Sequence, residues 1–240
     1  MSVSRETLEA LVVRHRLGPA ATGQIERVLE ALAGEPDPHT TVSEPQAALE
    51  VHFADALSGL EVPELAGARR IADMGAGAGF PGLALAVALP QAQVDLVESA
   101  GRKTAVIDRL IQAGDVGNAR SITTRVEELG RVPAALGGGR EAYDAVTARA
   151  VGSLALLAEY AAPLLREGGV LVAWKGARDP SEEAAGAAAA AQLGMDVGDV
   201  VAVRPYPSSE NRHLHVFRKV SATPARFPRR AGMARKRPLA

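Results

Sequence analysis

The sequence predicts an α/β domain: a central, mostly parallel sheet of seven strands with helices on both faces, preceded by a helical N-terminal extension. Three observations predict it. From Arg69 onward, short apolar stretches of strand character alternate with stretches of helical length. A glycine-rich turn joins the first of these strands to the first helix. The last two strand candidates, 198–203 and 213–219, follow one another with no helix between them, so the final strand is expected to run against the rest.

Ahead of this alternation, residues 5–33 carry apolar side chains at helical spacing: Leu8, Leu11 and Val12, then Ile25, Val28, Leu29 and Leu32. They predict one or two amphipathic helices, ended by the proline-rich GEPDPHT at 34–40. A further helix is expected from Glu44 to Leu60, with Leu49, Phe53, Ala56 and Leu57 on one face. The strand candidates are then Arg70–Met74, Val94–Glu98, Ser121–Thr124, Ala145–Ala148 and Val170–Trp174. Between them lie helices at 81–89, 102–113 and 152–166, and a loop or short helix at 126–136. The alanine-rich 181–193 is helical by propensity, alanine being the best helix former. Residues 1–66 are thus the helical extension, 67–220 the sheet domain and 221–240 a tail.

At 240 residues, 47% hydrophobic and 23% charged, the chain suits one sizeable globular domain with an appendage. It has no cysteine, which excludes disulfides, thiolate metal sites and thiol nucleophiles, and fits a cytoplasmic home. The five histidines show no H-E-x-x-H or similar spacing, so no metal is expected. No stretch reaches the roughly 18 apolar residues of a membrane span, and the N-terminus lacks the apolar core of a signal peptide. The net charge of −1 conceals an asymmetry: Arg226, Arg229, Arg230, Arg235, Lys236 and Arg237 share a tail without acids. Such a tail is either a solvated end or an electrostatic arm for a polyanion.

The glycine turn, IADMGAGAGFPG at 71–82, parses in two registers. Gly77, Gly79 and Gly82 spell G-x-G-x-x-G, the dinucleotide fingerprint. Asp73, Gly75, Gly77 and Gly79 spell D-x-G-x-G-x-G, the loop of Rossmann-like, class I S-adenosylmethionine (SAM) methyltransferases. In both cases glycines let the backbone turn sharply and approach a ligand at the carboxyl end of the first strand; the alternative is a tight turn with no ligand. Glu98, ending the second strand candidate, can accept both hydroxyls of an adenosine ribose, which both cofactors contain, or can be a solvated strand-end carboxylate. Asp73 separates the two ligands. A carboxylate there helps hold a cationic amino acid, whereas a pyrophosphate prefers backbone N–H groups and a helix N-terminus. Phe80, at the mouth of the following helix, can wall the cofactor pocket. Gly82 is expected to be one glycine too many, completing the dinucleotide pattern by coincidence.

Five segments in order, DMGAGAGFPGLALA, LVESAGRKTAVI, TRVEEL, TARAVGSL and VAWKG, resemble the RsmG (GidB) family from about residue 50 to the C-terminus. The resemblance implies a SAM-dependent enzyme that methylates guanine N7 in the decoding-site loop of 16S ribosomal RNA. It places Gly75 and Phe80 on cofactor contacts, Val126 and Glu127 beside the adenine, and Arg149 at the mouth of the site. Lys103, Lys175, Arg212 and His213 fall on basic positions of the family, and His52 and Asp55 in VHFADAL resemble its H-x-x-D-S-L helix with alanine in place of serine. The family's W-N…N-L-T pattern has no counterpart here. The tail ending ARKRPLA resembles that of many members and is the expected rRNA contact.

The chemistry agrees. Guanine N7 carries an in-plane lone pair, so in-line placement replaces a general base. Lys, Arg or His can polarise the neighbouring O6 or hold phosphates, which makes Arg149, Lys175 and Arg212 the catalytic candidates, with structural salt bridges as the alternative. The absence of cysteine argues against pyrimidine-C5 methylation, and TARAVGS stands where exocyclic-amine methyltransferases carry N-P-P-Y or D-P-P-Y. The expected protein is a cytoplasmic monomer that binds SAM and 16S rRNA or the small ribosomal subunit. The rivals are an NAD-linked oxidoreductase and a non-catalytic SAM-sensing RNA-binding protein.

Overall fold

The computed structural model describes residues 3–240; Met1 and Ser2, part of the expected extension, lie outside the described residues. The N-terminal periodicity resolves into two helices, α1 (Arg5–Arg14) and α2 (Ala21–Gly34). The helix expected at 44–60 is instead a mixed segment: α3 (Pro45–Ala48), a π-helical stretch Leu49–Ala54, α4 (Asp55–Leu57) and a 3₁₀ turn Ser58–Glu61. His52 through Ser58 are all buried, so the segment is enclosed on every side rather than along one stripe. That enclosure, and the π turn within it, override the simple one-face pattern. Helix α5 (Pro63–Ala66) then leads into the sheet.

The alternation follows as β1 (Arg70–Met74), α6 (Gly82–Ala88), β2 (Gln93–Glu98), α7 (Gly101–Gly114), β3 (Ala119–Thr123) and α8 (Val126–Leu129). It continues with β4 (Tyr143–Arg149), α9 (Leu154–Ala161), β5 (Leu165–Lys175), α10 (Pro180–Gln192), β6 (Met195–Val203), β7 (Arg212–Lys219) and α11 (Met233–Lys236). The strand order is β3-β2-β1-β4-β5-β7-β6. Strands β1 to β5 pair in parallel, and β7 inserts antiparallel between β5 and β6. Every expected strand is present. The largest boundary difference is β5, whose start at Leu165 is hidden in the sequence by the polar, glycine-containing REGG.

Alternation along the buried strands divides the core into two layers. Val170, Val172 and Trp174 of β5 face a layer shared with the N-terminal helices, α6 and α7. Leu171 and Ala173 face the layer of α9, α10 and Phe227. The N-terminal helices therefore share the core of the sheet. Arg27 locks them onto α7 by donating to the carbonyls of Ala113 and Gly114, both at 3.1 Å, which the helix end leaves unpaired.

The C-terminal tail lies on the opposite layer as a strap. Phe227 and Ala234 are buried, and Arg140 donates to the carbonyls of Thr223 at 3.1 Å and Phe227 at 2.9 Å. Arg229 forms a two-pronged pair with the buried Glu159, Nε to Oε1 at 2.7 Å. Lys219, buried at the root of the strap, donates to the Leu193 carbonyl at 3.0 Å and to the Thr223 hydroxyl; burial pushes its pKa down to about 8. The tail is thus not a solvated end: apolar anchors and internal acids bring it back onto the domain.

Candidate active site

The carboxyl ends of β1, β2 and β4 open into a hollow of about 370 Å³. Of the residues singled out in the sequence, Gly75, Glu98, Val126 and Glu127 line it, joined by Lys103. Gly75 has φ +68, a left-handed conformation that favours glycine, and a Cβ there would lie 2.9 Å from Val151 Cγ2. The bare backbone thus leaves a cradle that a side chain would fill. Glu98 is fixed as a strand-end acceptor: Oε2 accepts from Gly77 N at 3.2 Å and Oε1 from Ala100 N at 3.0 Å, with Lys103 Nζ 3.9 Å away. Each oxygen keeps acceptor capacity for a diol. Glu127, in the first turn of α8, is buried and accepts from Gly232 N of the strap at 2.8 Å. Burial and the adjacent Glu127 raise the pKa of the Tyr160 phenol, which lines the same hollow. These groups fit the methionine, ribose and adenine parts of SAM.

Asp73 and Phe80 occupy places different from those expected. Asp73 is fully buried beneath the loop and accepts from Gly82 N at 2.8 Å and Thr147 Oγ1 at 2.9 Å. Its neighbour across the β1–β4 ladder is Thr147 itself, so the sheet register supplies the second donor. Burial raises its pKa to about 6 against those two hydrogen bonds. Asp73 is therefore an organiser of the turn, outside the cofactor hollow. Gly82 is correspondingly not a spare glycine: a Cβ there would lie 2.8 Å from Asp73 Cβ and 3.0 Å from Leu96 Cγ. The sequence pattern could not separate a ligand-facing acid from one turned into its own loop. Phe80 stacks on His52, with centroids 4.7 Å apart, and meets Phe53 edge-on at 5.3 Å. It joins the loop to the N-terminal helices and does not line the cofactor hollow. Gly77 and Gly79 also have positive φ and shape the turn from outside the hollow.

Arg149, Lys175 and Arg212 come together in a second hollow of about 210 Å³. Sheet register explains their convergence: Arg149 of β4 lies opposite Trp174 of β5, and Lys175 lies opposite His213, the second residue of β7. All three cations have internal partners. Arg149 donates to Asp55 Oδ2 and the Val51 carbonyl, both at 2.8 Å, and to His52 Nδ1 at 3.3 Å. Lys175 Nζ donates to Glu182 Oε1 at 2.6 Å and the Gly152 carbonyl at 3.2 Å. Arg212 is the most exposed of the three; it has the Tyr206 hydroxyl as a neighbour, and its Nε lies 3.6 Å from Asp55 Oδ1, a buried atom with no hydrogen-bond partner. His52 donates through Nε2 to the Val42 carbonyl at 2.8 Å and is left to accept from Arg149. Burial, with Arg149 alongside, lowers its pKa to about 4, which keeps that acceptor neutral. Arg149, expected also at the cofactor, lies in this second hollow and not in the first.

The two hollows meet at Ala150, which lines both and has φ +59, a left-handed turn at the end of β4. Sequence reasoning missed Ala150, Tyr160, Gly232 and Arg235 around the cofactor hollow. Only the acid-free basic run at the C-terminus signalled any of them. Among the described residues, no helix is long and apolar enough to cross a membrane, and no group of three or more His, Cys, Asp or Glu could hold a metal ion.

Fold and site together define a Rossmann-like, class I SAM-dependent methyltransferase. Among solved structures, the chain is similar to a 16S rRNA (adenine(1408)-N(1))-methyltransferase variant from Catenulisporales acidiphilia, with TM-score 0.52 and 18% identity over 69% of this chain and 92% of that one. It is also similar to Aeropyrum pernix fibrillarin in complex with natively bound SAM, with TM-score 0.52 and 19% identity over 68% and 72% of the two chains. The family described as rRNA small subunit methyltransferase G (GidB) matches residues 37–214. A relative of that name from Rubrobacter xylanophilus is 40% identical over 82% of this chain and 75% of its own. The protein belongs to the GidB family, and the G-x-G-x-x-G register is not a dinucleotide fingerprint here.

Proposed function

We propose that the protein transfers the methyl group of SAM to N7 of a guanine in the decoding-site loop of 16S rRNA, acting as a cytoplasmic monomer. The observation that carries this reading is the meeting, at Ala150, of a cofactor cradle and a cation-lined acceptor hollow. SAM supplies a sulfonium-activated methyl group. Gly75 leaves room for its methionine part, Glu98 accepts its ribose hydroxyls, and Val126 and Glu127 flank its adenine. Guanine N7 presents its lone pair without losing a proton, so the acceptor side needs placement and not a base.

Arg212, at 39% the most exposed of the three cations, is the group that polarises guanine O6 or holds the adjoining phosphate. Arg149 and Lys175 set the walls of the acceptor hollow, their charges moderated by Asp55 and Glu182. The test is to supply radiolabelled SAM with naked 16S rRNA, an assembly intermediate and the complete small subunit, then locate N7-methylguanine by chemical cleavage. Label at one guanine of the decoding-site loop is expected in at least one of these substrates. Label on another base, or none in any substrate, overturns the reading.

A further inference from the structure

A third hollow, of about 560 Å³, adjoins the cofactor hollow and shares Arg125 and Gly232 with it. It lies between α8 and the C-terminal strap. Arg125 and Arg131 line it from the α8 side and Arg230 and Lys236 from the strap, with Glu128 as the one acid in the lining. All four cations are exposed. Elsewhere, Arg149, Arg212, Arg218 and Arg229 are each tied to a carboxylate of the chain. Here, four cations face one carboxylate; Arg131 donates to the Pro228 carbonyl at 3.4 Å, and among the described residues none of the four forms an ion pair with a carboxylate.

The strap is also a wall of the cofactor hollow. Gly232 and Arg235 line that hollow, and Gly232 N holds Glu127. The single turn of α11 thus turns Arg235 to the cofactor side and Lys236 to the basic side. The strap is held by the Arg229–Glu159 ion pair, by the buried Phe227 and Ala234, and by hydrogen bonds from Arg131 and Arg140 to its carbonyls and from Gly232 N to Glu127. It is nonetheless a surface segment of irregular backbone with a single turn of helix, which opens locally at lower cost than the sheet beneath it.

From this arrangement we infer that the hollow between α8 and the strap binds backbone phosphates of the RNA substrate, and that RNA held there keeps the strap closed over the cofactor. The inference rests on the proposed function and adds to it a phosphate site and a coupling. Guanidinium groups pair with phosphate oxygens in two-pronged fashion, and an ammonium adds a point charge. The three hollows run in series, the basic one joined to the cofactor one through Arg125 and Gly232, and the cofactor one to the acceptor one through Ala150. Phosphates on one side and the target base on the other then bracket the cofactor. Because RNA contacts Arg230 and Lys236 only with the strap in place, RNA raises cofactor affinity, and the cofactor raises RNA affinity by the same factor.

The test compares the full chain with the R230Q/K236Q variant, whose changes are exposed. Binding of S-adenosylhomocysteine is measured by calorimetry with and without a 16S rRNA transcript, and in parallel with purified small subunits. RNA affinity is measured across a salt series. For the unaltered protein, RNA is expected to tighten S-adenosylhomocysteine binding at least about fivefold. In the variant, affinity without RNA stays the same, the RNA-dependent gain disappears, and the slope of log affinity against log salt falls by about 1.4 for two lost phosphate contacts. Equal RNA affinity and salt slope in both proteins overturn the phosphate site. A gain that persists in the variant overturns the coupling. Methyl transfer to the same RNA by the unaltered protein is scored separately, so its absence counts against the functional reading while the binding comparison still judges the strap.

Discussion

The cofactor hollow and the acceptor hollow share Ala150 but are made of different materials. Around the cofactor, the chain uses bare backbone at Gly75 and strand-end acids held by neighbouring N–H groups, as Glu98 is by Gly77 and Ala100. Around the acceptor it uses long cationic side chains, each leashed to an acid of another element: Arg149 to Asp55, 94 positions away, and Lys175 to Glu182 in the helix that follows β5. The first is framed by the turns that follow adjacent parallel strands, with the strap closing one side. The second exists only once the N-terminal helices, β4, β5, α10 and β7 have all come together. Cofactor affinity and acceptor geometry should therefore respond to different substitutions.

Removing the acid that serves two acceptor-side arginines has the largest consequence. Asp55→Ala strips Arg149 of its buried counter-charge and is expected to cost about 3–5 kcal/mol of stability in urea unfolding. A loss below about 1 kcal/mol means the tether is not structural. On the cofactor side, Gly75→Val adds a Cβ against Val151 in a left-handed conformation. It should weaken S-adenosylhomocysteine binding more than about tenfold while circular dichroism stays native. Glu98→Ala removes charge-assisted acceptors for the ribose and should cost about 1.5–3 kcal/mol of that binding, with Glu98→Gln intermediate.

Arg212→Met sharpens the comparison from the other side. Methyl transfer to 16S rRNA should fall severalfold, with the affinity for S-adenosylhomocysteine unchanged in calorimetry. A parallel loss of cofactor affinity would break the separation between the hollows. The smallest effect is on pH dependence. The His52 pKa of about 4 lies below its usual value, so its contribution to stability is present above about 6.5 and lost as pH falls toward 4. Asp73, raised to about 6, works in the opposite sense: its contribution is present below its usual 3.8 and lost as pH rises through 6. Unfolding midpoints between pH 6.5 and 4 should accordingly rise more steeply with pH in Asp73→Asn than in the unaltered chain, and less steeply in His52→Gln.

The same contrast governs what was legible in the sequence. Strand and helix alternation is local, and so are the glycine turn and Glu98; these were readable from adjacent residues. Asp73 was assigned to the ligand because sequence spacing carries no information on which way a buried carboxylate turns; Thr147, its partner, is 74 positions away. Arg149, Lys175 and Arg212 came from a family resemblance, and their convergence depends on register between strands that no local pattern sets. The strap was hardest to read. Its basic composition suggests solvent, while its anchors Glu159 and Glu127 are separated from it by 70 and 105 positions.

The placement of β7 between β5 and β6 has a consequence for the nascent chain. A strand made last must enter between two made earlier, so β6 has no neighbour to pair with until β7 emerges. Throughout synthesis from Lys175 to Arg212, β5 presents an unpaired apolar edge, the kind of surface on which chains aggregate. The C-terminal residues that complete the sheet are therefore also the ones that end this exposed period, and a product released before them would carry a sticky edge in place of an acceptor site.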